Sequence, residues 1–295
     1  MARFLATRLY NGLQARARQA IFGNRDHSWS IAYRRRGTPA GEWTFLHPPP
    51  DRFYADPFLL RRGERTFLFF EDYRYDLEKG IISVVELTAQ GRSEIRVALE
   101  LDGHLSYPFV FEHDGEVYLM PETSASGRVE LYRATCFPYE WTLDQIPLEN
   151  GIFVDPTLHR QNGRWWLFVN AAAPMASTWD ELHVFFASTL AGPWQPHPEN
   201  PVISDVRSAR PAGRLFFRNG NLIRPGQDCS LAYGYAVTLN QVVTLTETDY
   251  RETPVEKILP EWLPNILGTH TVNHNEDFEV RDVKTPFRKL RFTRG

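Results

Sequence analysis

Cysteine and methionine are scarce in this chain, which has two cysteines and three methionines among its 295 residues. Cys136 and Cys229 are too few for a disulfide framework or a zinc cluster. No apolar run approaches the roughly 18 uninterrupted residues that a membrane-spanning helix needs. The sequence also has no glycine-rich phosphate loop, no GxSxG nucleophile elbow and no HExxH zinc motif. These absences argue against a disulfide scaffold, a single-span membrane protein, an α/β-hydrolase and a zinc protease.

The net charge of −3 is distributed unevenly along the chain. Residues 1–36 contain eight arginines and a single acid, Asp26, so the rest of the chain carries a clear excess of acids. Nucleic-acid binding relies on clustered positive charge, and the acidic body is therefore not predicted to bind nucleic acid. It suits a neutral or cationic ligand, or an active site built on carboxylates.

Residues 1–22 are predicted to form a basic amphipathic helix, because Leu5, Leu9, Leu13 and Ala17 recur at helical spacing. The helix either packs on the body or lies on an anionic membrane surface, and both interpretations remain open. Arginines interrupt the apolar residues near the start, so we expect no secretory signal peptide. The predicted location is the cytoplasm, with membrane association at its inner face under the second interpretation.

From Trp29 onward the helical period disappears and short strands alternate with turns. Residues 66–70, 117–120 and 164–169 are strongly apolar runs of this kind. The predicted class is therefore all-β. We assign residues 1–28 to the N-terminal helix and linker, and residues 29–295 to the β domain.

Four prolines mark an internal repeat in this β domain. Pro57, Pro108, Pro156 and Pro211 begin similar segments, and in the first three a strand, a glycine turn and an aromatic-rich strand follow. A period near 50 residues with several strands per unit is typical of a β-propeller blade. The length predicts five blades, with residues 30–33 completing the last blade and closing the ring. A two-sheet sandwich is the alternative, but it does not explain the recurrence of one motif.

Polar residues lie at the repeated prolines and at the ends of the strands that follow. Because the innermost strands of all blades converge on one channel, we expect these side chains to meet at one mouth. Carboxylates in such a place suit glycosidic chemistry, in which one carboxyl protonates the leaving oxygen and another acts as base or nucleophile. The catalytic candidates are Asp56, Glu122 and Asp155. The substrate-binding candidates are Glu71, Asp72, His104, Arg210, Asp228 and His270.

Each of these candidates also has a purely structural interpretation. An aspartate before proline, such as Asp56 or Asp155, can cap a turn by accepting a backbone N–H. Arg210 can form a buried ion pair with a carboxylate of a neighbouring blade. Glu122 is the strongest functional candidate, because a carboxylate that ends so apolar a strand needs a reason to be buried.

Several motifs together resemble the N-terminal propeller domain of the plant glucosamine inositolphosphorylceramide transferases. The runs that carry the resemblance are ADPFLL (55–60), FFEDY (69–73), SYPFVFEHDGEVYLMPETS (106–124), VDPTLH (154–159), RPAGRLF (210–216), RPGQDCSLAYG (224–234) and GTHTVN (268–273). The resemblance covers roughly residues 29–290. It implies a role with carbohydrate more firmly than it implies a reaction, because the family's sugar-transfer chemistry is assigned to a separate domain.

The pattern is more distantly similar to the five-bladed propellers of glycoside hydrolase family 43. That resemblance implies that Asp56 is the general base and that Glu122 or Asp155 supplies the remaining carboxyl roles. It also implies that His270 helps to hold a central structural calcium through water. The sequence departs from the pattern at Ser106, where an aspartate is expected in the second blade.

Three functions follow as hypotheses. The first is a glycoside hydrolase or transglycosylase in surface-glycan or polysaccharide metabolism. The second is a non-catalytic glycan-binding or scaffolding propeller in glycan assembly, and the third is a glycosyltransferase that uses the same funnel for a sugar donor. The expected partner is accordingly a saccharide or a sugar nucleotide, with membrane contact through residues 1–22.

Overall fold

The protein is an almost entirely β structure, arranged as five antiparallel sheets. The computed structural model describes residues 27–38, 42–88, 91–173 and 175–286. In these residues the helical content is one short 3₁₀ turn, Ser124–Ser126. The predicted all-β five-bladed propeller is confirmed, whereas the predicted helix at residues 1–22 lies outside the described residues. None of the described helical residues forms a segment long and apolar enough to cross a bilayer.

Each blade is an antiparallel meander that starts with the strand nearest the central channel. Blade I contains β3 (Arg52–Arg62), β4 (Arg65–Arg74), β5 (Lys79–Thr88), β6 (Gly91–Arg92) and β7 (Arg96–Leu99). Blade II contains β8 (Ser106–His113), β9 (Glu116–Glu122), β10 (Arg128–Cys136) and β11 (Glu140–Glu149). Blade III contains β12 (Ile152–Gln161), β13 (Arg164–Ala172), β14 (Glu181–Ala187), β15 (Gln195–Pro196) and β16 (Ile203–Ser204). Blade IV contains β17 (Phe216–Arg218), β18 (Asn221–Asp228), β19 (Ala236–Leu245) and β20 (Tyr250–Ile258).

Blade V joins the two ends of the described chain. It contains β21 (Val272–His274), β22 (Phe278–Pro286), β1 (His27–Arg35) and β2 (Thr44–Leu46), in the order β2-β1-β22-β21. Strand β1 pairs antiparallel with β22 over its whole length. The predicted closure of the ring by the strand around residues 30–33 is therefore confirmed, and it removes an open sheet edge.

The first three repeated prolines lie at the same place in their blades. Pro57, Pro108 and Pro156 each lie in a break in register of the innermost strand, within β3, β8 and β12. Pro211 instead forms an isolated bridge with Gly226, before β17 begins. Three of the four repeated prolines thus occupy equivalent positions in their inner strands, whereas Pro211 does not.

Apolar side chains fill the spaces between neighbouring blades. The largest cluster joins blades I to III and includes Phe58, Phe69, Phe109 and Leu167, none of which exposes more than 1% of its surface. Smaller clusters lie between blades V and I, between III and IV, and between IV and V. Because both faces of each sheet are covered, the strands are continuous apolar runs, as they are in the sequence.

Candidate active site at the acidic mouth

Three residues with a left-handed backbone conformation lie at the candidate site. Asp56, Tyr107 and Asp155 each precede a repeated proline and have φ values of 51°, 44° and 54°. Non-glycine residues rarely adopt this conformation, and a proline that follows disfavours helical backbone further. A bulge of this kind turns a side chain away from the face of the sheet that strand alternation would give it. The left-handed backbone is strained, and strained residues of this kind are common at functional sites. In blade II the residue at this position is Tyr107 rather than Ser106.

Three further polar residues lie opposite these bulges on the second strands. Glu71 pairs with Ala55, Glu122 with Ser106 and Asn170 with Val154, so each lies across from the residue before the left-handed one. All three are buried, with exposed fractions of 6%, 6% and 0%. The proline repeat therefore brings two layers of polar residues to one end of the channel.

Arg210 from blade IV joins two carboxylates in the centre. Its Nε and Nη2 donate to Oδ2 and Oδ1 of Asp155 at 2.5 and 3.2 Å, and Nη2 lies 3.7 Å from Oε2 of Glu122. Gln227 donates a further hydrogen bond to Asp155 Oδ2 at 2.8 Å. Ser124 holds Oε1 of Glu122, whereas buried Oε2 of Glu122 has no hydrogen-bond partner among the described residues.

Asp56 lies against blade V. Its Oδ1 accepts from the Thr271 hydroxyl at 2.6 Å, and its Oδ2 accepts from the Tyr107 N–H at 3.3 Å. His270 Nε2 lies 3.9 Å from Asp56 Oδ1, and His270 Nδ1 forms a close ion pair with Asp282. Asp282 in turn accepts backbone N–H bonds from His270, Thr271 and Asp56. Asp282 therefore orients the His270 segment towards Asp56.

Glu71 completes this group from blade I. Its Oε1 lies 3.6 Å from Nε2 of His104, and the same His104 accepts from the Gly80 N–H at 2.8 Å through Nδ1. A side chain at Gly80 would meet both Glu71 and His104 at 2.9 Å, so glycine keeps this contact open. We refer to Asp56, Glu71, Glu122, Asp155 and Asp282, with Arg210 and His270, as the acidic mouth.

Carboxylates outnumber cations in the acidic mouth, and this excess governs its proton chemistry. Burial raises the pKa of Asp56 to about 6, with the positive charge of His270 opposing the rise and the negative charge of Asp155 adding to it. Burial likewise raises the pKa of Asp155 to about 6 although Arg210 opposes it. Burial and then the charges of Asp56, Glu122, Asp155 and Asp282 raise the pKa of Glu71 well above its ordinary value. The site therefore retains protons near neutral pH.

His270 is the second basic residue of the acidic mouth, beside Arg210. Burial alone would lower the pKa of His270, but the carboxylates of Asp282 and Asp56 raise it above its ordinary value. His270 also stacks on Trp29, with ring centroids 4.2 Å apart. A charged imidazole in this position offsets part of the carboxylate repulsion.

Two of the sequence candidates face away from the acidic mouth. Asp72 follows Glu71 and so points to the other face of β4, where it accepts from Ser83 at 3.0 Å and pairs with Arg52 at 3.3 Å. Asp228 accepts from Lys257 Nζ at 2.6 Å, while its neighbour Gln227 reaches Asp155. Strand alternation, which places adjacent residues on opposite faces, separates each pair.

Tyr107 and Tyr233 are site residues that sequence reasoning missed. The fully buried Tyr107 hydroxyl lies 2.9 Å from Thr157 Oγ1 and accepts from the Gly213 N–H at 2.7 Å, so it ties blades II, III and IV together. The Tyr233 ring lies over the Arg210 guanidinium at 5.2 Å, and its centroid lies 5.2 Å from that of His270. Trp179, 37% exposed, lies 6.0 Å from Tyr233. In the sequence, the role of Tyr107 is indicated by its position directly before a repeated proline.

Asp56, His270 and Asp282 offer the ligand atoms of a cation site, all within 4.8 Å of one another. Calcium, however, takes six to eight oxygen ligands. Here each carboxylate oxygen already accepts from a protein donor or pairs with the His270 ring. This set does not fit direct coordination of calcium, and an ion held through water at His270 stays a prediction.

Comparison with known proteins gives one family for this chain. The family model described as "Glucosamine inositolphosphorylceramide transferase 1, N-terminal" matches residues 44–265. Glucosamine inositolphosphorylceramide transferase 1 of Oryza sativa subsp. japonica is 40% identical over 211 residues, which are 70% of this chain and 28% of that protein. The protein of the same name from Arabidopsis thaliana is 36% identical over the same shares. The chain thus spans little more than a quarter of the length of these relatives.

Solved structures with a similar fold are propellers of carbohydrate-active enzymes. An exo-β-1,3-galactanase from Clostridium thermocellum superposes with a TM-score of 0.56 at 13% identity, covering 76% of this chain and 59% of that one. The catalytic domain of a family GH62 α-L-arabinofuranosidase from Coprinopsis cinerea gives 0.53 at 13% identity, covering 86% and 97%. At such low identity these likenesses establish the fold alone.

Proposed function

We propose, on the premise that this chain belongs to the family of the glucosamine inositolphosphorylceramide transferase N-terminal domain, that its acidic mouth binds a saccharide and acts on a glycosidic bond. The coarse conclusion, a carbohydrate-active propeller, follows from the family and the fold. The observation that carries the finer proposal is the pair of buried carboxylates, Glu122 and Asp155, that share one nitrogen of Arg210.

Arg210 holds these two carboxylates close together. Arg210 Nη2 lies 3.2 Å from Asp155 Oδ1 and 3.7 Å from Glu122 Oε2. Because the two carboxylates lie so close together, the charge of Glu122 adds to the rise in the pKa of Asp155.

The hydrogen bonds of Asp56, Glu122 and Asp155 favour a different catalytic role for each of them. Both oxygens of Asp155 accept from Arg210, so Asp155 serves best as a fixed charge beside the reacting groups. Glu122 keeps Oε2 free of protein donors and is the proposed general acid. Asp56, across the channel and oriented by Thr271, is the proposed base or nucleophile.

The remaining sugar contacts come from other side chains in and beside the acidic mouth. Glu71, His104 and Arg210 supply polar groups for hydroxyls. Tyr233 and Trp179 supply aromatic faces on which a pyranose ring can stack. A sugar nucleotide is the alternative ligand at the same place. Cytoplasmic location, contact of residues 1–22 with the inner face of a membrane and a place in surface-glycan metabolism stay predictions.

A second function, glycan binding without catalysis, is favoured by one observation. The chain covers 28% of the length of its plant relatives, so in those proteins the propeller is a part of a larger whole. In that case the acidic mouth would present a glycan to chemistry performed elsewhere.

Replacement of Glu122 by Gln tests the first function. Glutamine keeps the shape and the bond from Ser124 but supplies no proton, so turnover should fall by about 10²–10⁴-fold with little loss of stability. Activity would be screened on nitrophenyl glycosides and on nucleotide sugars, with binding measured by calorimetry. Glu116→Gln, at the exposed start of the same strand, is the matched control.

The outcomes separate the candidates. Loss of turnover in Glu122→Gln but not in Glu116→Gln supports catalysis. Saturable sugar binding without any turnover, weakened only modestly by Glu122→Gln, supports the glycan-binding function. Equal turnover in both variants would exclude Glu122 as the general acid.

A further inference from the structure

The central channel has a second opening, at the opposite ends of the inner strands. The acidic mouth lies where β3, β12 and β21 begin. Arg61, His159 and His274 lie where these same strands end. Arg36 follows β1 on the same side and donates to the carbonyl of Asn275 at 3.1 Å. The two openings therefore differ in character, one dominated by carboxylates and the other by arginine and histidine.

A cleft of about 630 Å³ lies at this second opening, between blades IV, V and I. It is lined by Arg36, Arg61, Phe216, Phe217, His274 and Glu276, among other residues. Phe217 is 61% exposed, and Phe216 packs edge-on against the His274 ring at 4.6 Å. We refer to it as the basic cleft.

The acids near the basic cleft already have basic partners. Glu276 and Asp277 both pair with Arg61. Glu279, the acid beneath the cleft, pairs with Arg34 and Arg281 at 2.7 and 2.6 Å. Glu279 is thus balanced by two arginines, whereas Glu276 and Asp277 share the single charge of Arg61.

Arg36 and Arg214 have no carboxylate partner among the described residues. Arg214 lies deeper in the channel, over the Phe109 ring at 4.5 Å, and donates to the carbonyl of Val110. Burial lowers the pKa of Arg214 to about 10, so it still carries its charge at neutral pH. A half-buried guanidinium without a counter-ion is costly, and a bound anion would offset part of that cost.

His274 lies between these two charges. Burial and then the positive charge of Arg36 lower the pKa of His274, Glu279 opposes them, and Arg214 lowers the pKa further, so the ring is neutral at pH 7 and has one N–H to donate. Two guanidinium groups and a neutral imidazole are a donor set that suits the oxygens of a phosphate group. Phe217 offers an apolar surface to whatever the phosphate is attached to.

We propose that the basic cleft is a binding site for a phosphate group, contacted by Arg36 and His274 and stabilised by the charge of Arg214. This site lies on the face opposite the acidic mouth and does not depend on the chemistry proposed there. The phosphate can belong to a soluble phosphate ester or to a lipid headgroup, because both present the same oxygens.

Titration of the full chain with inorganic phosphate, followed by calorimetry, tests the site. We expect saturable binding that Arg36→Gln weakens by about tenfold or more, as the loss of a charge-assisted hydrogen bond requires. Arg251→Gln removes the same charge from an exposed position on β20 and is the matched control. Because Arg214→Met could disturb folding, the surface variant Arg36→Gln carries the test, and the proton resonances of His274 give an independent readout.

Sedimentation with phosphatidylcholine vesicles, with and without phosphatidic acid, distinguishes the two sources. Binding of inorganic phosphate that is lost in Arg36→Gln and kept in Arg251→Gln supports a soluble phosphate ligand. Binding only to phosphatidic acid vesicles, with the same dependence on Arg36, supports a lipid headgroup. Absence of saturable binding to either probe, or equal weakening by both substitutions, overturns the proposal.

Discussion

At the scale of single residues, the acidic mouth has more carboxylates than basic side chains to balance their charge. Arg210 is held by Asp155 and lies near Glu122, and His270 lies between Asp282 and Asp56. Among the described residues, Glu71 has a single basic neighbour, His104, whose pKa burial lowers. Asp56, Asp155 and Glu71 have raised pKa values and therefore keep their protons to a higher pH than ordinary carboxyls do.

This arrangement predicts an unusual dependence of stability on pH. The pKa of Asp56 and of Asp155 is about 6 in the folded protein, against an ordinary value of 3.8. A raised pKa means that the folded state binds the proton more tightly, so stability from these groups is lost as pH rises from about 4 to about 6. The raised pKa of His270 acts in the same direction, through its folded pKa. By thermal denaturation, we expect the melting temperature to fall between pH 4 and pH 6 relative to that of Asp56→Asn, because the histidines whose pKa burial lowers act equally in both proteins.

Asp56→Asn provides the comparison for this pH prediction. Asparagine does not ionise, so the variant should lose less stability than the parent over that interval. Carboxyls with a lowered pKa, such as Asp205 beside Arg207, act at lower pH and do not obscure the trend. A difference in melting temperature between the two proteins that does not change from pH 4 to pH 6 would contradict the assignment.

Replacement of Arg210 by Met should be among the most damaging changes in the chain. It leaves Asp155 and Glu122 buried without their cation, and removal of one partner from a buried ion pair costs about 3–5 kcal/mol. Urea denaturation would measure the loss, with the exposed Arg207→Met as control. Asp155→Asn in the Arg210→Met background should recover part of the stability. A loss no larger than that of Arg207→Met would show that Arg210 does not balance these charges.

At the scale of elements, the bulge before each of the first three repeated prolines decides which side chains reach the channel. In β3 the register breaks between Ala55 and Phe58, and Asp56 adopts a φ of 51°. The same break occurs in β8 and β12. The strained residue thus leaves the ordinary alternation of the strand and points into the acidic mouth.

The bulge predicts a reversal of the usual preference for alanine over glycine. Asp56→Gly and Asp56→Ala lose the same hydrogen bonds, but only alanine is strained in the left-handed region, by roughly 1–2 kcal/mol. We therefore expect Asp56→Gly to melt at the higher temperature. Ala55→Gly, at a neighbouring residue of ordinary φ, should destabilise by about 0.5–1 kcal/mol and serves as control. Equal melting temperatures of the two Asp56 variants would mean that the bulge stores no strain.

At the scale of the whole molecule, the ring depends on the pairing of β1 with β22. That pairing runs from His27 opposite Pro286 to Arg35 opposite Phe278. Trp29 and Ile31 on β1 are buried, and Trp29 also supports His270. The closing strand therefore stabilises both the ring and the acidic mouth.

Two truncations test this dependence. Removal of residues 1–24 should leave the propeller folded, whereas removal of residues 1–36 should expose the edge of β22 and abolish cooperative unfolding. Thermal denaturation measures both. A large loss of stability in the shorter truncation would place the N-terminal segment in the core, and loss of liposome binding alone would support its place on a membrane surface. A longer truncation as stable as the full chain would refute closure by β1.

The sequence by itself determined the architecture of this protein. The spacing of Pro57, Pro108 and Pro156, together with short apolar runs bounded by turns, predicts five blades and a closing strand, because both signals are local and repeat. The same repeat placed Asp56, Glu71, Glu122 and Asp155 at one end of the channel.

The tertiary structure decided which of these polar residues act together. Adjacent acids such as Glu71 and Asp72 look alike in the sequence, but strand alternation sends one to the acidic mouth and the other to Arg52. The partnership of Arg210 with Asp155 and the cover that Tyr233 provides depend on residues brought from different blades. Such contacts have no sequence period, because they arise only when the ring closes and the inner strands of different blades meet.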